Sequence, residues 1–411
     1  MSLQVSLGTI ARSPYIFLSP LIFVLITLLS DKLYFFKAPR YYLIYYIYSI
    51  LITFVLIIYY SGFNDYRYVY GENLVVKCIK NSMYNLIIIL TLYNFYFILR
   101  YSSLIFAEKI LKVLVLLQLV IGYIQIVLPN AFDFIKTPQY QFTERVSLLN
   151  TEPSYTFPQL VLSLLCYCCI RYYNNKRFTI IDHLILLAGF ILLMFIQSRG
   201  GIVVMLACFI LILLFSKQTL KRRLLLLFAS IIFIIPTLWV IVNVIIPQLV
   251  TDLEGFSSVS TRSITIISSL KSLIAYPFGQ GYGTYLITFP SLLNSTVNSI
   301  TSSSPIPLST FELDWMLSTG RALTIKSGLL NEVLYTGWGI IIFYFFFFGN
   351  AYRKLKLIRN RKIVHNLFQY IFIFIIINFL FVSSIETAYI AFLPFALIGR
   401  FSAEATGRLI Q

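Results

Sequence analysis

The sequence PQLVTDLEGFSSVSTRSITIISSLKSLIAYPFGQGYGTY (residues 247–285) opens the one long polar interval in a chain that is otherwise a succession of apolar runs. The interval continues to residue 327 and closes with STFELDWMLSTGRALTIKS (309–327). It contains four cations, Arg262, Lys271, Arg321 and Lys326, and a glycine-rich turn, GQGYG (279–283). In a membrane protein, polar and ionisable residues mark the functional region. We therefore expect the functional site of the protein to lie in this interval.

Composition indicates a polytopic membrane protein. The 411 residues are 59% hydrophobic and 11% charged, and the mean hydropathy is +0.85, whereas soluble domains carry about 25% charged residues. The formal net charge of +17 does not call for nucleic acid as a partner, because the short cytoplasmic loops of membrane proteins collect basic residues. The five cysteines lack metal-ligand spacing with a histidine, so we interpret them as small buried hydrophobic residues. The sequence has no HxH, HExxH, DxD or Walker pattern, so we expect no metal and no other cofactor.

About eleven apolar runs are long enough, or nearly so with tilt, to cross a hydrocarbon core of ~30 Å. They lie near residues 14–30, 42–60, 82–99, 110–128, 156–173, 179–197, 202–216, 224–246, 328–349, 366–382 and 387–401. The sequence predicts an all-α polytopic membrane protein, a single domain over 1–411 with about 11 (10–12) transmembrane helices. Its segment 247–327 is predicted to be one large extracytoplasmic loop with short amphipathic helices.

The orientation follows from the basic loops. The clusters within 217–223 and 353–362 are predicted to be cytoplasmic, which places 247–327 outside. Cations on that outer face run against the general bias and need an anionic partner; they are Arg145, Arg199, Arg262, Lys271, Arg321 and Lys326. The acids near them are Glu144, Glu152, Asp252, Glu254, Glu312, Asp314, Glu332 and Glu386.

Arg199 lies in the break QSRGG (197–201) between two apolar runs. The glycines allow a tight backbone turn, which leaves Arg199 at the outer membrane boundary. One interpretation is an arginine that extends to phospholipid headgroups. The other is a guanidinium that points into a cavity of the helix bundle, where its planar fork binds a phosphate through two hydrogen bonds.

Glu152 precedes Pro153 just before the run at 156, and proline is typical of a first helical turn. The carboxylate either complements the helix dipole and pairs with Arg145, or acts as a general base at the mouth of the bundle.

The stretch from Arg262 to Pro277 predicts an amphipathic helix on the outer bilayer surface. Its apolar positions include 264, 267, 270 and 274. The glycines at 279, 281 and 283 then allow close backbone approach to a ligand. Because they follow a helix and not a strand, a dinucleotide fold is excluded.

The stretch KSGLLNEVLYTGWG (326–339) leads into the next apolar run. Asn331 and Glu332 fall within its first turns, and we expect both to face the bundle interior and not lipid.

Four stretches, in this order, resemble the O-antigen polymerase and ligase superfamily of bacterial inner membranes. They are RVSLLNTEPS (145–154), SRGG (198–201), the segment from Arg262 to YPFGQGYGTY (276–285), and KSGLLNEVLYTGWG (326–339). Ligases of this family carry a His–Asn pair at the positions of Lys326 and Ser327 here. That departure favours a Wzy-type polymerase over a ligase.

The resemblance implies inverting, metal-independent glycosyl transfer on the periplasmic face of the inner membrane. The donor would be a glycan on undecaprenyl pyrophosphate, the acceptor a lipid-linked repeat unit, and a chain-length regulator is an expected partner. Arg199 and Arg262, with Arg145 or Arg321 as further candidates, would stabilise the leaving pyrophosphate. Glu152 would take the acceptor proton, with Glu312 and Asp314 as the second choices for this base. The predicted substrate-binding residues are Arg145, Lys271, Gly281, Tyr282, Glu312, Asp314, Arg321 and Lys326.

Two alternative functions remain open. An O-antigen ligase would transfer finished glycan to lipid A-core. A flippase for lipid-linked oligosaccharide would also be helical and basic, but it should carry cations deep in several helices, whereas the polar residues here gather in one asymmetric interval.

We predict that Arg199→Ala abolishes polymer but not membrane insertion, because the leaving pyrophosphate loses a cation. The cytoplasmic Arg223→Ala should do little. The measurement is a gel of surface polysaccharide from a deletion strain complemented with each variant. Core with a single repeat unit indicates a polymerase, and bare core with carrier-bound polymer indicates a ligase. A normal ladder from Arg199→Ala would contradict this donor site.

Overall fold

The structure is a computed structural model in which most described residues are helical. It describes residues 15–29, 37–129, 131–132, 146–148, 156–196, 201, 204–205, 208, 258–303, 310–320, 323, 325, 327–381 and 389–407. The predominance of helix agrees with the predicted all-α class.

The helices before the polar interval are α1 (Tyr15–Leu29), α2 (Lys37–Ile57, continued by a π-helical turn over Ile58–Phe63), α3 (Leu74–Tyr101), α4 (Leu104–Val127), α5 (Thr156–Tyr173) and α6 (Ile180–Phe195). An antiparallel hairpin, β1 (Tyr68–Val69) and β2 (Glu72–Asn73), connects α2 to α3. The later helices are α7 (Ser258–Ala275), α8 (Tyr285–Ser303), α9 (Phe311–Thr319), α10 (Gly328–Thr336), α11 (Trp338–Leu357), α12 (Lys362–Phe381) and, after a 3-10 turn at Tyr389–Phe392, α13 (Leu393–Ala405).

Four of the described helices are long and apolar enough to cross a membrane, namely Pro39–Phe63, Leu74–Tyr101, Leu104–Val127 and Lys362–Leu380. Leu18–Leu29 and Ile180–Phe195 are shorter apolar helices. These helices fit an all-α membrane protein. The full count of about eleven spans stays a prediction, since the run near 224–246 and almost all of 202–216 lie outside the described residues.

The predicted single helix over 328–349 is wrong, because Gly337 interrupts it. Gly337 ends α10 with φ 56° and ψ −131°, and α11 begins at the next residue. This backbone conformation is one that only glycine adopts readily. The first part of the predicted run is therefore a short separate helix.

Contacts divide the chain into two compact units. The first comprises Met1–Tyr48, Asn81–Val204 and Ile341–Gln411, and the second comprises Ser49–Lys80 and Met205–Ile340. All described residues of the polar interval belong to the second unit. The predicted single domain over 1–411 stays a prediction.

Aromatic rings form part of the interior of the first unit. Tyr42 is fully buried, and its ring centroid lies 5.0 Å from that of Phe343 and 5.6 Å from that of Phe392. Phe395 stacks on Phe372 at 5.2 Å. Edge-to-face and offset aromatic pairs stabilise a core beyond the area that they bury. Aromatic residues of this chain thus serve internal packing as well as any lipid-facing surface.

A buried ion network joins α4, α5 and α6 in the first unit. Arg171 of α5 donates to Glu108 Oε1 of α4 and to Asp182 Oδ2 of α6, each at 2.7 Å. The side chains of Glu108 and Asp182 are 6% and 0% exposed. A buried charge requires such a partner, because its desolvation is otherwise strongly unfavourable. The network therefore fixes the relative positions of three helices.

Further donors complete the network. Asp182 also accepts hydrogen bonds from Tyr167, from Lys112 and from the backbone and hydroxyl of Thr179. Thr179 and Asp182 together form the capping box at the N-terminus of α6. Glu108 also accepts from Lys176 Nζ at 2.9 Å and from Asn174 Nδ2 at 2.6 Å.

Asp182→Ala should strongly destabilise the protein, since it leaves Arg171 without one of its two carboxylates. Breaking a buried ion pair costs about 3–5 kcal/mol. The matched control is Asp65→Ala, whose carboxylate pairs with Arg67 on an exposed loop, where a pair contributes about 0–1 kcal/mol. Thermal unfolding of the detergent-purified variants measures both. Equal midpoints for the two would contradict a stabilising network.

Candidate functional site

Helix α7 buries its hydroxyl side chains and exposes its apolar ones. Its buried positions include five hydroxyl residues, Thr261, Thr265, Ser268, Ser269 and Ser272. The predicted helix over this stretch is confirmed, but its apolar residues do not form one buried face: Ile264 is buried, whereas Ile267, Leu270 and Ile274 are exposed. Hydroxyl groups therefore line the contact of α7 with its neighbours, as is common between helices in membranes.

The loop after α7 is hydrogen-bonded to the end of α10. The backbone N–H groups of Gln280 and Gly281 donate to the carbonyl oxygens of Leu334 and Tyr335, both at 2.9 Å. In return, Trp338 N–H donates to Pro277 O at 2.9 Å. We call this pair of segments, 277–281 and 334–338, the backbone clasp.

Glycine is required on both sides of the backbone clasp. A Cβ atom on Gly337 would overlap the carbonyl oxygen of Pro277, and one on Gly279 would overlap that of Tyr335. Gly279 has φ +92°, which also disfavours other residues. The close approach that these glycines make possible in the structure is to protein backbone. Their predicted approach to a ligand stays a prediction.

Gln280 links the glycine-rich turn to the hydroxyl groups around it. Its Nε2 donates to Ser272 Oγ at 2.5 Å, and its Oε1 accepts from Thr288 Oγ1 of α8. Thr284 Oγ1 donates to its backbone carbonyl. A polar chain thus runs from buried Ser272 to the half-buried Thr288.

The predicted substrate residues Gly281 and Tyr282 are both buried. Tyr282 is 0% exposed, and its ring centroid lies 5.0 Å from that of Tyr335. Its backbone N–H donates to Thr53 Oγ1 of α2 at 2.9 Å. These contacts give both residues a structural role, and their contact with a substrate stays a prediction.

Arg262 is exposed and lies near the start of α7. The C-terminal ends of α7 and α10 converge at the backbone clasp, and α10 has 9 residues against 18 in α7, so α10 begins beside the middle of α7. Ser269 Oγ donates to Leu330 O of α10 at 3.0 Å. Arg262 is seven residues (269 − 262), nearly two full turns, before Ser269 and so projects from the same side of α7. An exposed guanidinium favours an anion.

Lys271 does not lie on the same side of α7 as Arg262. It lies nine residues (271 − 262), or two and a half turns, after Arg262 and so on the opposite side of α7. Its Nζ donates to Ser299 Oγ of α8 at 3.4 Å. The structure therefore separates these two predicted cations, which cannot clamp one phosphate together.

The described polar and acidic residues near Arg262, namely Glu312, Asp314, Asn331 and Glu332, lie in the second unit. Asn331 and Glu332 are 2% and 1% exposed, which confirms the prediction that they face the interior. Glu312 and Asp314 fall in the first turn of α9, where carboxylates complement the helix dipole. Asp314 accepts from Thr310 Oγ1 at 2.9 Å. Helix α9 packs on α7, so both acids belong to the same helix cluster as Arg262.

Five of the predicted site residues lie outside the described residues. They are Glu152, Arg199, Arg145, Arg321 and Lys326. Ser327, which follows Lys326, caps α10: its hydroxyl accepts from Leu330 N–H at 3.5 Å.

The Glu108–Arg171–Asp182 network did not emerge from the sequence argument. A usable signal was present, because each of the three charged residues lies near the end of an apolar helix and on the predicted cytoplasmic side. The Thr179–Asp182 capping box was a second signal. The network is built at helix ends and satisfied by its own members, which is typical of a structural brace.

Comparison with known proteins gives no relative: no family model, no curated protein and no solved structure matches this chain.

Gly337→Ala should destabilise the protein by at least about 2 kcal/mol, because it combines a strained left-handed backbone with overlap at Pro277. The matched control is Gly349→Ala in α11, where an added Cβ meets nothing within 4 Å; there alanine should add about 0.5–1 kcal/mol of helix stability. Thermal unfolding in detergent measures both. A thermal unfolding midpoint for Gly337→Ala as high as that of the wild type would contradict a stabilising role of the backbone clasp.

Proposed function

We propose that this protein is a membrane glycosyltransferase of the Wzy type, which joins lipid-linked oligosaccharide repeat units into O-antigen or a similar surface polysaccharide. The observation that supports the proposal is the exposed guanidinium of Arg262, which projects from the side of α7 that packs on α10. An exposed guanidinium suits a polyanionic group like a pyrophosphate. Arg262 belongs to one of the four stretches on which the sequence resemblance rests.

The role that we assign to Arg262 is to stabilise the leaving group. In the proposed reaction, a hydroxyl of the acceptor sugar attacks the anomeric carbon of the donor with inversion, and the bond from that carbon to the pyrophosphate oxygen breaks. Arg262 and Arg199 would neutralise the departing pyrophosphate, in a role that other enzymes give to a metal ion. Glu152 would take the proton of the attacking hydroxyl.

The substrates proposed are undecaprenyl-pyrophosphate-linked glycans, both as donor and as acceptor. The proposed location is the bacterial inner membrane, with the active face in the periplasm. Apolar helices of membrane-spanning length support the membrane part of this assignment.

The glycine-rich turn is internal to the second unit. Gln280 is buried and hydrogen-bonded to Ser272 and Thr288, and Tyr282 is buried against Tyr335. We propose that Gly281 and Tyr282 support substrate binding by holding this turn in place.

The flippase alternative is less well supported. A transport path would need charged groups deep in several helices. The described ion network, by contrast, occupies helix ends, and its acids are satisfied by neighbouring donors. The ligase alternative is disfavoured by Lys326 and Ser327, since Ser327 serves as a helix cap.

Arg262→Ala should lower the rate of polymer formation by roughly 10²–10³, the loss typical when one donor to a developing anion is removed. Arg262→Lys should retain part of the activity, because it keeps the charge but loses the planar fork. The matched control is Arg67→Ala, which removes an exposed cation that is paired with Asp65.

The assay is the polysaccharide ladder from a deletion strain that expresses each variant at equal membrane levels. A single-repeat product from Arg262→Ala alongside a full ladder from Arg67→Ala is the expected result. A full ladder from both variants would remove Arg262 from the mechanism.

A further inference from the structure

Helix α7 has the polarity of a helix that faces lipid. In a soluble protein the outward face of a surface helix is polar and the inward face apolar. In α7 the inward face carries the hydroxyl residues 261, 265, 268, 269 and 272, and the outward face, after the exposed Arg262 and Ser263 in the first turns, presents Ile267, Leu270 and Ile274. Ile274 is 84% exposed. The medium on the outer side of α7 must therefore be apolar, because water there would favour the opposite arrangement.

The neighbouring helix α8 has the opposite, ordinary polarity. It buries Leu286, Phe289 and Leu293. Its exposed positions are polar and include Ser291, Asn294, Ser295, Asn298 and Thr301. Since α7 and α8 pack against each other, two adjacent helices of one unit face two different media.

The turn that follows α7 contacts a candidate membrane span. Phe278, next in line after Ile274, is 72% exposed. Three residues later, Gly281 and Tyr282 contact Thr53 of α2, which lies well within the candidate span Pro39–Phe63. The same part of α2 exposes Phe54, Val55 and Ile58.

We propose that the boundary between lipid and water runs between α7 and α8. The partner of the α7 stripe, which is the exposed row Ile267, Leu270 and Ile274, is the acyl region of the bilayer, and the partner of the outer face of α8 is water. The inference stands apart from the proposed glycosyl transfer, because it rests on polarity and packing alone. It also revises the expectation of a helix lying on the bilayer surface: the hydroxyl face of α7 is covered by protein and not by water.

Lys271 fits this boundary. It leaves α7 on the flank next to α8, and its Nζ reaches Ser299 Oγ on the polar helix. A lysine that lays its aliphatic stem along apolar surface and extends its amine toward water is the usual arrangement at a membrane interface. The Lys271 side chain would then lie at the lipid–water boundary, with its amine on the aqueous side.

The test places a reporter on each helix of the full-length protein, reconstituted in phosphatidylcholine vesicles. Ile274→Trp reports on α7 and Asn298→Trp on α8; both positions are exposed, so neither substitution disturbs packing. The emission of each variant is compared with that of the unsubstituted protein, which has three tryptophans. Quenchers are phosphatidylcholine brominated on its acyl chains, and aqueous iodide.

The added emission of Ile274→Trp should be quenched by brominated lipid and protected from iodide, and that of Asn298→Trp should show the reverse. Iodide quenching of Ile274→Trp without lipid quenching would overturn the proposal, as would lipid quenching at both positions. Leu270→Trp repeats the measurement on the α7 stripe should Ile274→Trp fail to accumulate. No activity is measured, so either result leaves the proposed enzyme function to its own test.

Discussion

The backbone clasp between segments 277–281 and 334–338 is the constraint on which the second unit depends. An irregular loop in an apolar setting must satisfy its backbone N–H and C=O groups within the protein, because there is no water to do so. Here Gln280, Gly281 and Trp338 satisfy theirs across two segments distant in sequence. That exchange ends α10 at Gly337 and brings the C-terminal ends of α7 and α10 together. Arg262, near the start of α7, therefore lies at the end of α7 that is remote from the clasp.

Polarity in this protein follows the medium of each surface and not a single inside–outside rule. Helix α7 turns its hydroxyl groups inward and its isoleucines outward, while α8 does the opposite. Under the proposed function, this difference would suit a substrate with a polar head and a lipid tail, since both parts would find their medium beside the same pair of helices. In the first unit, buried charge is compensated by ion pairs. The buried carboxylates of Glu108 and Asp182 pair with Arg171, and Lys176 and Lys112 add one further pair to each.

Much of the helical content was predictable because apolar runs report local chemistry. The runs near 14–30, 156–173 and 179–197 correspond closely to α1, α5 and α6, and the stretch after Ser260 was recognisable as a helix that ends before Pro277. The run over 328–349 was misjudged for a physical reason: hydropathy averages over a window, and the left-handed backbone at Gly337 is a single-residue event driven by a distant carbonyl at Pro277. The polar character of the site was predictable as well, from Asn331, Glu332 and the cations.

The sequence by itself determined the class of protein and the position of its polar interval, because hydrophobicity, charge bias and turn residues are properties of neighbouring residues. It did not determine which side chains meet. The nine-residue spacing of Arg262 and Lys271 on a predicted helix already puts them on opposite sides, but only packing showed that one side of α7 meets α10 and the other meets α8. Likewise, only the fold brought Arg171 between Glu108 and Asp182. Such pairings depend on contacts between residues far apart along the chain, and these arise when helices pack in three dimensions.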